Sequence, residues 1–348
     1  MNKAGRAIQR ENPTYKIETI SRVYAYVNQE YGPEWYEYET WNIPQTFQLS
    51  DFEIGPWIGG GKYSDVFIGY KEKKTYAFKI LKPVGQQKYK REAKILRNLK
   101  DGPNIVHLEG IILNPSNNQY TFVFERVFNT DYRQLFASFT DQECRFYFYQ
   151  ILLALEYSHS HGIMHRDIKP QNIMYDREHQ KIRLIDWGLA DFYHPRKRYN
   201  IHVGSRNYKP IELLVDYQLY DYSVDIWAFG VTMAGIIFHS DTAEPFFNGK
   251  DDFDMAKKIC EFLGRQDLDI YLQKYGIDLP PELERRLGND KKKSLAQIAK
   301  KTKKKDLISN EAIDLIEKCL KYDHMERISA REALQHPYFF PVLDRVYD

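Results

Sequence analysis

The sequence predicts an α+β fold with two lobes: a small strand-rich N-terminal lobe with one main helix, and a large helical C-terminal lobe. Short β-prone runs separated by turn residues fill residues 52–82, whereas apolar residues at helical spacing dominate after Thr130. The 348 residues exceed one ordinary domain and suit a two-lobed unit of about 290 residues with short tails. The junction near Phe128 predicts a cleft between the lobes, where ligand sites commonly form.

The small lobe is predicted from runs of β-branched and aromatic residues and from one amphipathic segment. The helix begins after the break at Gly85 and carries Ala93, Leu96 and Leu99 at helical spacing. We predict strands at 54–58, 65–70, 75–80 and 120–127, and this helix at 88–99.

The large lobe is predicted from longer helical patterns. The first of them places Phe146, Tyr149 and Leu153 on one broad apolar surface. Asp225 begins another helix, and we expect it to cap that helix and to brace a loop behind the cleft. The predicted helices are 141–161, 223–238, 252–263, 310–321 and 330–336.

The division of the chain follows from these patterns. Residues 1–51 are rich in Tyr, Trp and Glu, too aromatic for a free tail, so we expect them to lie against the folded body. The predicted domain spans 52–340, with lobes at 52–128 and 129–340, and 341–348 form a short C-terminal tail.

Composition excludes several classes of protein. A hydrophobic content of 43% and an aromatic content of 15% argue against wholesale disorder, and the net charge is only +2. Three dispersed cysteines suit buried thiols in a reducing compartment. No apolar run approaches the roughly 18 residues of a membrane span, and residues 1–10 lack the apolar core of a signal peptide. We therefore expect no membrane partner and a cytoplasmic and nuclear setting.

The segment from His165 to Asn172, followed by Asp186-Trp187-Gly188, predicts phosphoryl transfer. Asp167 can receive the proton of an acceptor hydroxyl, and Lys169 can neutralise the transferred group. Asn172 and Asp186 supply oxygen ligands for Mg²⁺, which binds through few protein groups plus phosphates.

A glycine-rich turn precedes this segment at 59–66. By itself the pattern also fits a plain tight hairpin, and a following helix would favour a dinucleotide fold. A strand follows instead, which favours a flap over phosphates. Lys79 lies between Phe78 and Ile80 in the next strand, and a partly buried ammonium needs an anion. We assign Glu92 as that partner, and Lys79 to the α- and β-phosphates.

These residues resemble eukaryotic protein kinases and, more narrowly, the catalytic α subunits of casein kinase II, over residues 22–345. Asp186-Trp187-Gly188, with Trp in place of the usual Phe, is the most distinctive piece. The other matching pieces are Gly61-Lys62-Tyr63-Ser64, Gly102-Pro103-Asn104-Ile105, Asn129-Thr130-Asp131, Phe192-Tyr193-His194-Pro195, Tyr322-Asp323-His324 and the runs 79–84, 165–172 and 213–217.

The resemblance implies a bilobal protein-kinase fold that transfers the γ-phosphate of ATP to Ser or Thr with Mg²⁺. It also implies acidic substrates and a tetramer with a dimeric regulatory β subunit. It further implies activity without phosphorylation of the activation loop, because the N-terminal segment braces that loop. Only Ser205 is a Ser or Thr between Asp186 and Glu212, which agrees with constitutive activity. The implied nucleotide site comprises Ile58, Gly59, Gly60, Gly61, Lys62, Tyr63, Ser64, Asp65, Val66, Ala77, Lys79, Phe124, Glu125, Val127, Met174 and Ile185.

Two further surfaces follow from the resemblance. Basic residues of the activation segment, between Asp186 and Glu212, are expected to bind acidic substrates. An apolar patch on the small lobe is expected to bind the β subunit, although the same residues could instead pack in the core. The substrate set is Arg196, Lys197, Arg198, His202, Arg206 and Lys209, and the partner set is Ile54, Phe67 and Phe78.

The chain departs from the family pattern at several places. Gly85-Gln86-Gln87-Lys88 replaces a lysine cluster, and Pro210-Ile211-Glu212 replaces Gly-Pro-Glu. Ala77 replaces a bulkier residue, which leaves open whether GTP serves beside ATP. A lysine run at 291–305 fits a solvated face, an import signal or an acidic-partner site.

Three rival readings remain at this point. They are a pseudokinase scaffold, a nucleic-acid-binding module built on the lysine run, and a kinase of the cyclin-dependent or MAP type. No RNA- or DNA-binding signature supports the second, so we expect no specific nucleic-acid partner. Trp187 and the absent activation-loop Thr speak against the third.

Overall fold

The computed structural model describes residues 17–83, 85–302 and 305–343. Within these residues the N-terminal lobe is built on a five-stranded antiparallel sheet of order β1-β2-β3-β5-β4. Its strands are β1 (Glu53–Gly60), β2 (Ser64–Lys71), β3 (Lys74–Leu81), β4 (Leu108–Asn114) and β5 (Gln119–Glu125).

Helices make up much of the described chain outside this sheet. In chain order they are α1 (Val27–Tyr31), α2 (Pro33–Tyr36), α3 (Gln86–Asn98), α4 (Tyr132–Ser138), α5 (Asp141–Ser160), α6 (Ile211–Leu214), α7 (Ser223–His239), α8 (Asp252–Leu263), α9 (Arg265–Tyr275), α10 (Pro281–Arg286), α11 (Leu295–Lys301), α12 (Asn310–Cys319) and α13 (Ala330–Leu334). All but the first three lie in the large lobe. Among the described residues, no helix is both long and apolar enough to cross a membrane.

Two short two-stranded sheets lie between α5 and α6, at the face of the large lobe that meets the small lobe. In one, β6 (Ile163–Met164) pairs with β9 (Asp191–Phe192). In the other, β7 (Ile173–Asp176) pairs with β8 (Lys181–Leu184). The loops that join β6 to β7 and β8 to β9 carry the motifs predicted to do chemistry.

The predicted two-lobed α+β architecture is confirmed, and α8 begins and ends at the predicted residues. Strand β4 was missed because its sequence, Leu108–Asn114, has no clean alternation; it is buried at Gly110, Ile111 and Ile112 in succession. Helices α4, α9, α10 and α11 were missed because they are short or mostly polar at the surface.

Phe78 corrects the prediction of an exposed patch on the small lobe. Its side chain is fully buried, in a cluster with Ile112 and Val123. The rings of Phe52 and Phe78 meet edge to face with centroids 5.0 Å apart. Phe78 is therefore a core residue, as the rival reading proposed, whereas Ile54 is exposed and Phe67 is half-buried.

Residues 17–51 run along both lobes. In the large lobe, Asn28 Nδ2 donates to the carbonyl oxygens of Gly162 (2.7 Å) and Tyr193 (2.8 Å). In the small lobe, Asn98 Nδ2 donates to Trp35 O at 2.7 Å, and Thr46 N donates to Ile111 O at 2.9 Å. This segment is part of the folded body over its described length.

Candidate active site

Asp167 lies at the centre of the loop between β6 and β7, and its carboxylate is held by three groups. Lys169 Nζ and Asn172 Nδ2 donate to Oδ2 at 2.7 and 3.0 Å, and Ser205 N donates to Oδ1 at 2.8 Å. Lys169 Nζ also donates to Ser205 Oγ at 2.7 Å. The loop therefore presents an oriented carboxylate beside an ammonium.

The loop is braced from behind by Asp225, whose carboxylate is fully buried in α7. Its two oxygens accept from His165 N at 2.8 Å and from Arg166 N at 2.7 Å, and His159 Nε2 lies 2.9 Å from Oδ2. The predicted brace is confirmed. The predicted cap is wrong, because the side chain is committed to these partners and α7 has no side-chain N-cap.

Lys79 is a largely buried cation of the cleft, with its side chain 13% exposed. Its Nζ lies 2.7 Å from Glu92 Oε1 on α3 and 2.9 Å from Asp186 Oδ1 after β8. Burial alone would lower the pKa of Lys79, but the two carboxylates more than offset that effect and hold its pKa above the ordinary value. The predicted pair of Lys79 with Glu92 is confirmed, and the same ammonium joins the two lobes through Asp186.

Asp186 has a left-handed backbone conformation, with φ 59°. The Lys79 ammonium lowers the pKa of Asp186, so this carboxylate stays ionised. Its side chain is 50% exposed. The following Trp187 is buried and anchors the turn, since Nε1 donates to Leu184 O at 3.1 Å and the ring packs edge-on against His165. A charged carboxylate thus faces the cleft from a fixed turn.

The glycine-rich turn joins β1 to β2. Gly59 and Gly60 end β1, and Gly61 N donates to Ser64 O at 2.8 Å. A Cβ added at Gly59 or Gly61 would meet no protein atom within 4 Å, so the space beside the turn is open. The other predicted residues of this region, Ile58, Lys62, Tyr63, Asp65 and Val66, lie on β1, the turn and β2.

Lys82, to which sequence reasoning gave no role, ties this turn to the end of β3. Its Nζ donates to Gly61 O at 2.8 Å and lies 3.0 Å from Asp65 Oδ2. Its backbone N donates to Tyr63 O at 2.9 Å. The signal available in the sequence was only that a lysine follows Leu81, which is typical of any exposed strand end.

The remaining predicted nucleotide-site residues come from both lobes. Ala77 on β3 pairs in register with Phe124 on β5, and Glu125 ends β5. Glu125 is held by Arg183 Nε at 2.6 Å and by Lys181. Val127 is buried after β5, and the half-buried Met174 and Ile185 lie on β7 and just after β8. Through its contacts with Lys181 and Arg183, Glu125 joins the end of β5 to β8 of the large lobe.

Three basic groups converge on Asp191, another site that sequence reasoning missed. Arg166 Nη2 and Arg91 Nη1 lie 3.0 and 3.3 Å from Oδ2, and Lys197 Nζ lies 3.7 Å from Oδ1. Burial alone would raise the pKa of Asp191, but these cations more than offset it and hold the pKa below its ordinary value. The carboxylate joins the catalytic loop, α3 and the activation segment.

The predicted substrate-reading residues divide into two groups. Arg196, Lys197, His202 and Arg206 are exposed, and the half-buried Arg198 lies 3.8 Å from Glu18. Lys209 corrects the prediction: it is buried, and its Nζ lies 3.1 Å from Asp252 Oδ2. Its charge is already used to hold the segment before α6 against α8, because a buried ammonium requires a partner.

The donor set fits a magnesium nucleotide. Asn172 Nδ2 donates both to Asp167 O and to Asp167 Oδ2, which leaves the amide oxygen available for a cation. Asp186 supplies an ionised and half-exposed carboxylate. One carboxylate, one amide oxygen and phosphate oxygens suit Mg²⁺, and the open turn beside Gly59 admits phosphates.

One comparison with known families bears on this arrangement. The family described as "Protein kinase domain" matches residues 52–339 of the chain. The matched region contains both lobes and every residue of the site described above.

Proposed function

This chain belongs to the protein kinase family, and from that premise we propose that it is a constitutively active serine/threonine kinase of the casein kinase II type. Membership makes it a phosphotransferase that uses ATP and Mg²⁺. The finer proposal concerns the acceptor, the acidic sequence context and the absence of a phosphorylation switch. The observation that carries it is the pairing of Asp191 with Arg166, Arg91 and Lys197. Trp187, in place of the usual Phe, adds the resemblance to casein kinase II.

The residues of the cleft have distinct parts in phosphoryl transfer. Asp167 accepts the proton of the acceptor hydroxyl, and Lys169, 2.7 Å from it, neutralises charge on the group in transfer. Lys79 holds the α- and β-phosphates. Asn172 and Asp186 would hold Mg²⁺, which would supply positive charge to the phosphate oxygens.

Constitutive activity is supported by what neutralises Arg166. In many kinases a phosphorylated activation-loop residue pairs with the arginine before the catalytic aspartate. Here Asp191 supplies a carboxylate to Arg166 and to Arg91 of α3 without any modification. The N-terminal segment adds support, since Ser21 N donates to Tyr193 Oη at 2.8 Å.

A preference for acidic substrates is supported by the exposed cations of the activation segment. Arg196, Lys197 and Arg206 are exposed on this segment. Lys197 Nζ also lies 3.7 Å from Asp191 Oδ1, a longer distance than that of the Arg166 pair. Exposed ion pairs contribute about 0.2–1 kcal/mol each, so several must act together. Lys209 is excluded from this set by its pairing with Asp252.

A regulatory β subunit dimer is the proposed protein partner. Its proposed contact is the outer face of β1 and β2, where Ile54 and Trp57 are exposed and Trp57 pairs in register with the half-buried Phe67. Phe78 pairs in register with Phe67 but is fully buried, so it is not available for this contact. Placement in the cytoplasm and nucleus, and the choice between ATP and GTP, stay predictions.

A peptide array tests the proposal. Purified full-length chain is offered Ser, Thr and Tyr acceptors with Asp placed in turn at each following position, with Mg·ATP and with Mg·GTP. We expect Ser and Thr acceptors to be used and Asp after the target to raise kcat/KM. Arg206→Ala should reduce that gain, and Lys74→Ala, an exposed lysine on β3, serves as the control.

Two outcomes would refute the proposal. Equal use of acidic and neutral peptides by the wild-type chain would remove the substrate class. Activity that requires prior incubation with another kinase would remove the constitutive state.

A further inference from the structure

The large lobe contains a cavity remote from the catalytic cleft. Its volume is about 550 Å³, and it lies between α9, α12 and the segment that leads into α11. This volume is within the usual range for ligand sites, about 300–1,000 Å³. Its walls include the buried side chains of Leu263, Leu295 and Leu320, and Ile270, which is 58% exposed, lies on the lining as well. The cavity therefore offers an apolar floor that an apolar side chain could fill.

The charges on the lining are mostly paired with each other. Lys274 Nζ lies 2.5 Å from Asp323, Lys318 Nζ lies 2.5 Å from Asp314, and Lys321 Nζ lies 3.5 Å from Glu326. Lys292 and Lys293 also line the cavity, are exposed, and form no ion pair with the described residues. These two lysines are the positive charges that remain for a ligand.

The two lysines are held at the cavity by main-chain contacts. Lys293 N donates to Phe262 O at 2.8 Å, and Arg265 N donates to Asp290 O at 2.8 Å. The segment 290–293 is thus tied to the end of α8 and the start of α9. The ammonium groups extend from a fixed backbone.

The positive charge continues beyond the cavity along α11. The sequence from Lys291 to Lys305 has eight lysines and no Asp or Glu. Of those that the structure describes, Lys300, Lys301 and Lys305 are exposed. An acid-free run of this kind creates a local positive potential that attracts anionic partners.

We propose that this cavity and the exposed lysines beside it, within residues 291–301, form a docking site for an acidic protein segment that carries an apolar residue. The apolar side chain enters between Leu263, Leu295 and Leu320, and flanking carboxylates pair with Lys292 and Lys293. A peptide fits this lining better than a nucleic acid, because Asp267 and Glu317 also line the cavity. They would repel a backbone that carries a phosphate at every step, whereas a peptide can place its carboxylates at Lys292 and Lys293 alone. Main-chain N–H groups of a peptide can instead donate to the carboxylates of Asp267 and Glu317.

Fluorescence anisotropy on the full chain tests this site directly. The probe is a labelled peptide of Asp and Glu with one central Leu and no Ser, Thr or Tyr, so that it cannot be phosphorylated. We expect Lys292→Glu/Lys293→Glu to weaken binding by about tenfold or more. The matched control, Lys73→Glu/Lys74→Glu, makes the same charge change at exposed residues of the small lobe and should leave affinity within about twofold.

Further arms separate this site from the alternatives. Ile270→Ala, and a probe with Gly in place of Leu, should each bind several-fold more weakly. Lys197→Glu/Arg206→Glu removes the contribution of the activation segment, which is itself proposed to bind acidic peptides, and the effect of Lys292→Glu/Lys293→Glu should persist in that background. The proposal is overturned if the lysine pair has no effect in either background, or if the Gly probe binds equally well. It is also overturned if a single-stranded oligonucleotide or vesicles of phosphatidylserine and phosphatidylcholine bind this surface more tightly than the peptide.

Discussion

Arg166 Nη2 lies 3.0 Å from Asp191 Oδ2, in a pair where both side chains are almost fully buried. Replacing Asp191 by Asn would leave Arg166 and Arg91 without their shared anion, which favours displacement of α3 or the activation segment. We expect kcat toward an acidic peptide to fall about tenfold or more, equivalent to about 1.4 kcal/mol of activation free energy. Steady-state kinetics of Asp191→Asn and Asp191→Glu measure this, and the Glu variant should recover part of the rate. Full activity of Asp191→Asn would contradict the role we assign to it.

The carboxylate of Asp167 makes the second prediction. Asp167→Asn keeps the shape of the side chain but removes the proton acceptor, so kcat should fall about 10²–10⁴-fold. Binding of ATP, followed by calorimetry, should change little because Lys79, Asn172 and Asp186 are intact. A variant that loses nucleotide binding as strongly as turnover would show that Asp167 positions the nucleotide instead.

Lys82 makes the third prediction, because it is the tie between the glycine-rich turn and β3. Lys82→Met removes one charged hydrogen bond and one ion pair, so KM for ATP should rise about three- to tenfold. Turnover at saturating ATP should be nearly preserved. Lys74→Met, an exposed lysine at the other end of β3, is the matched control. An unchanged KM would mean that the turn keeps its conformation without this lysine.

The fourth prediction concerns the ion pair of Glu212 and Arg327, in which both side chains are fully buried. Arg327 Nη2 donates to Glu212 Oε2 at 2.7 Å, and Nη1 donates to Oε1. Arg327→Met leaves a buried carboxylate uncompensated and should lower the free energy of unfolding by about 3–5 kcal/mol. Chemical denaturation measures this, and adding Glu212→Gln to the same chain should restore part of the loss. Equal stability of the single variant and the wild type would rule out this contribution of the pair.

The fifth prediction is a pH dependence of stability at His165. Burial lowers the pKa of His165 from 6.5, against the opposing effect of Asp225 and Asp167. The folded imidazole is therefore neutral where the unfolded one is protonated, so its contribution is fully present above pH 6.5 and is lost as the pH falls below that value. One proton gives a slope of at most about 1.4 kcal/mol per pH unit. The wild type should lose Tm on acidification faster than His165→Gln, whereas parallel curves would refute the assignment.

Much of this molecule could be predicted from the sequence because its chemistry depends on local motifs. Asp167, Lys169 and Asn172 share one loop, and Glu92 lies on the helix that directly follows the strand of Lys79. Both arrangements can therefore be predicted from the spacing of the residues. Long-range electrostatic partners were not readable. Nothing in the sequence indicates that Arg91 and Arg166 meet at Asp191, or that Asp252 neutralises Lys209.

The errors have the same physical origin. Phe67 and Phe78 pair in register and share one face of the sheet, and how deeply each is buried depends on the cover that Phe47 and Phe52 provide. Asp225 has the position of a helix cap by sequence, yet the buried main-chain groups of His165 and Arg166 hold it more strongly. In both cases a tertiary contact overrides a local rule.

The path of residues 17–51 has a mechanical consequence. Two bodies connected at a single point can swing in any direction, whereas bodies connected at two points can rotate only about the line between them. The covalent connection after β5 is one such point, and the aromatic segment anchored at Gly162 and at Asn98 is a second. Together with the ion pairs of Lys79 with Asp186 and of Arg91 with Asp191, these connections restrict how the lobes move, so a substitution such as Asn28→Ala should loosen the alignment of the two lobes without unfolding either.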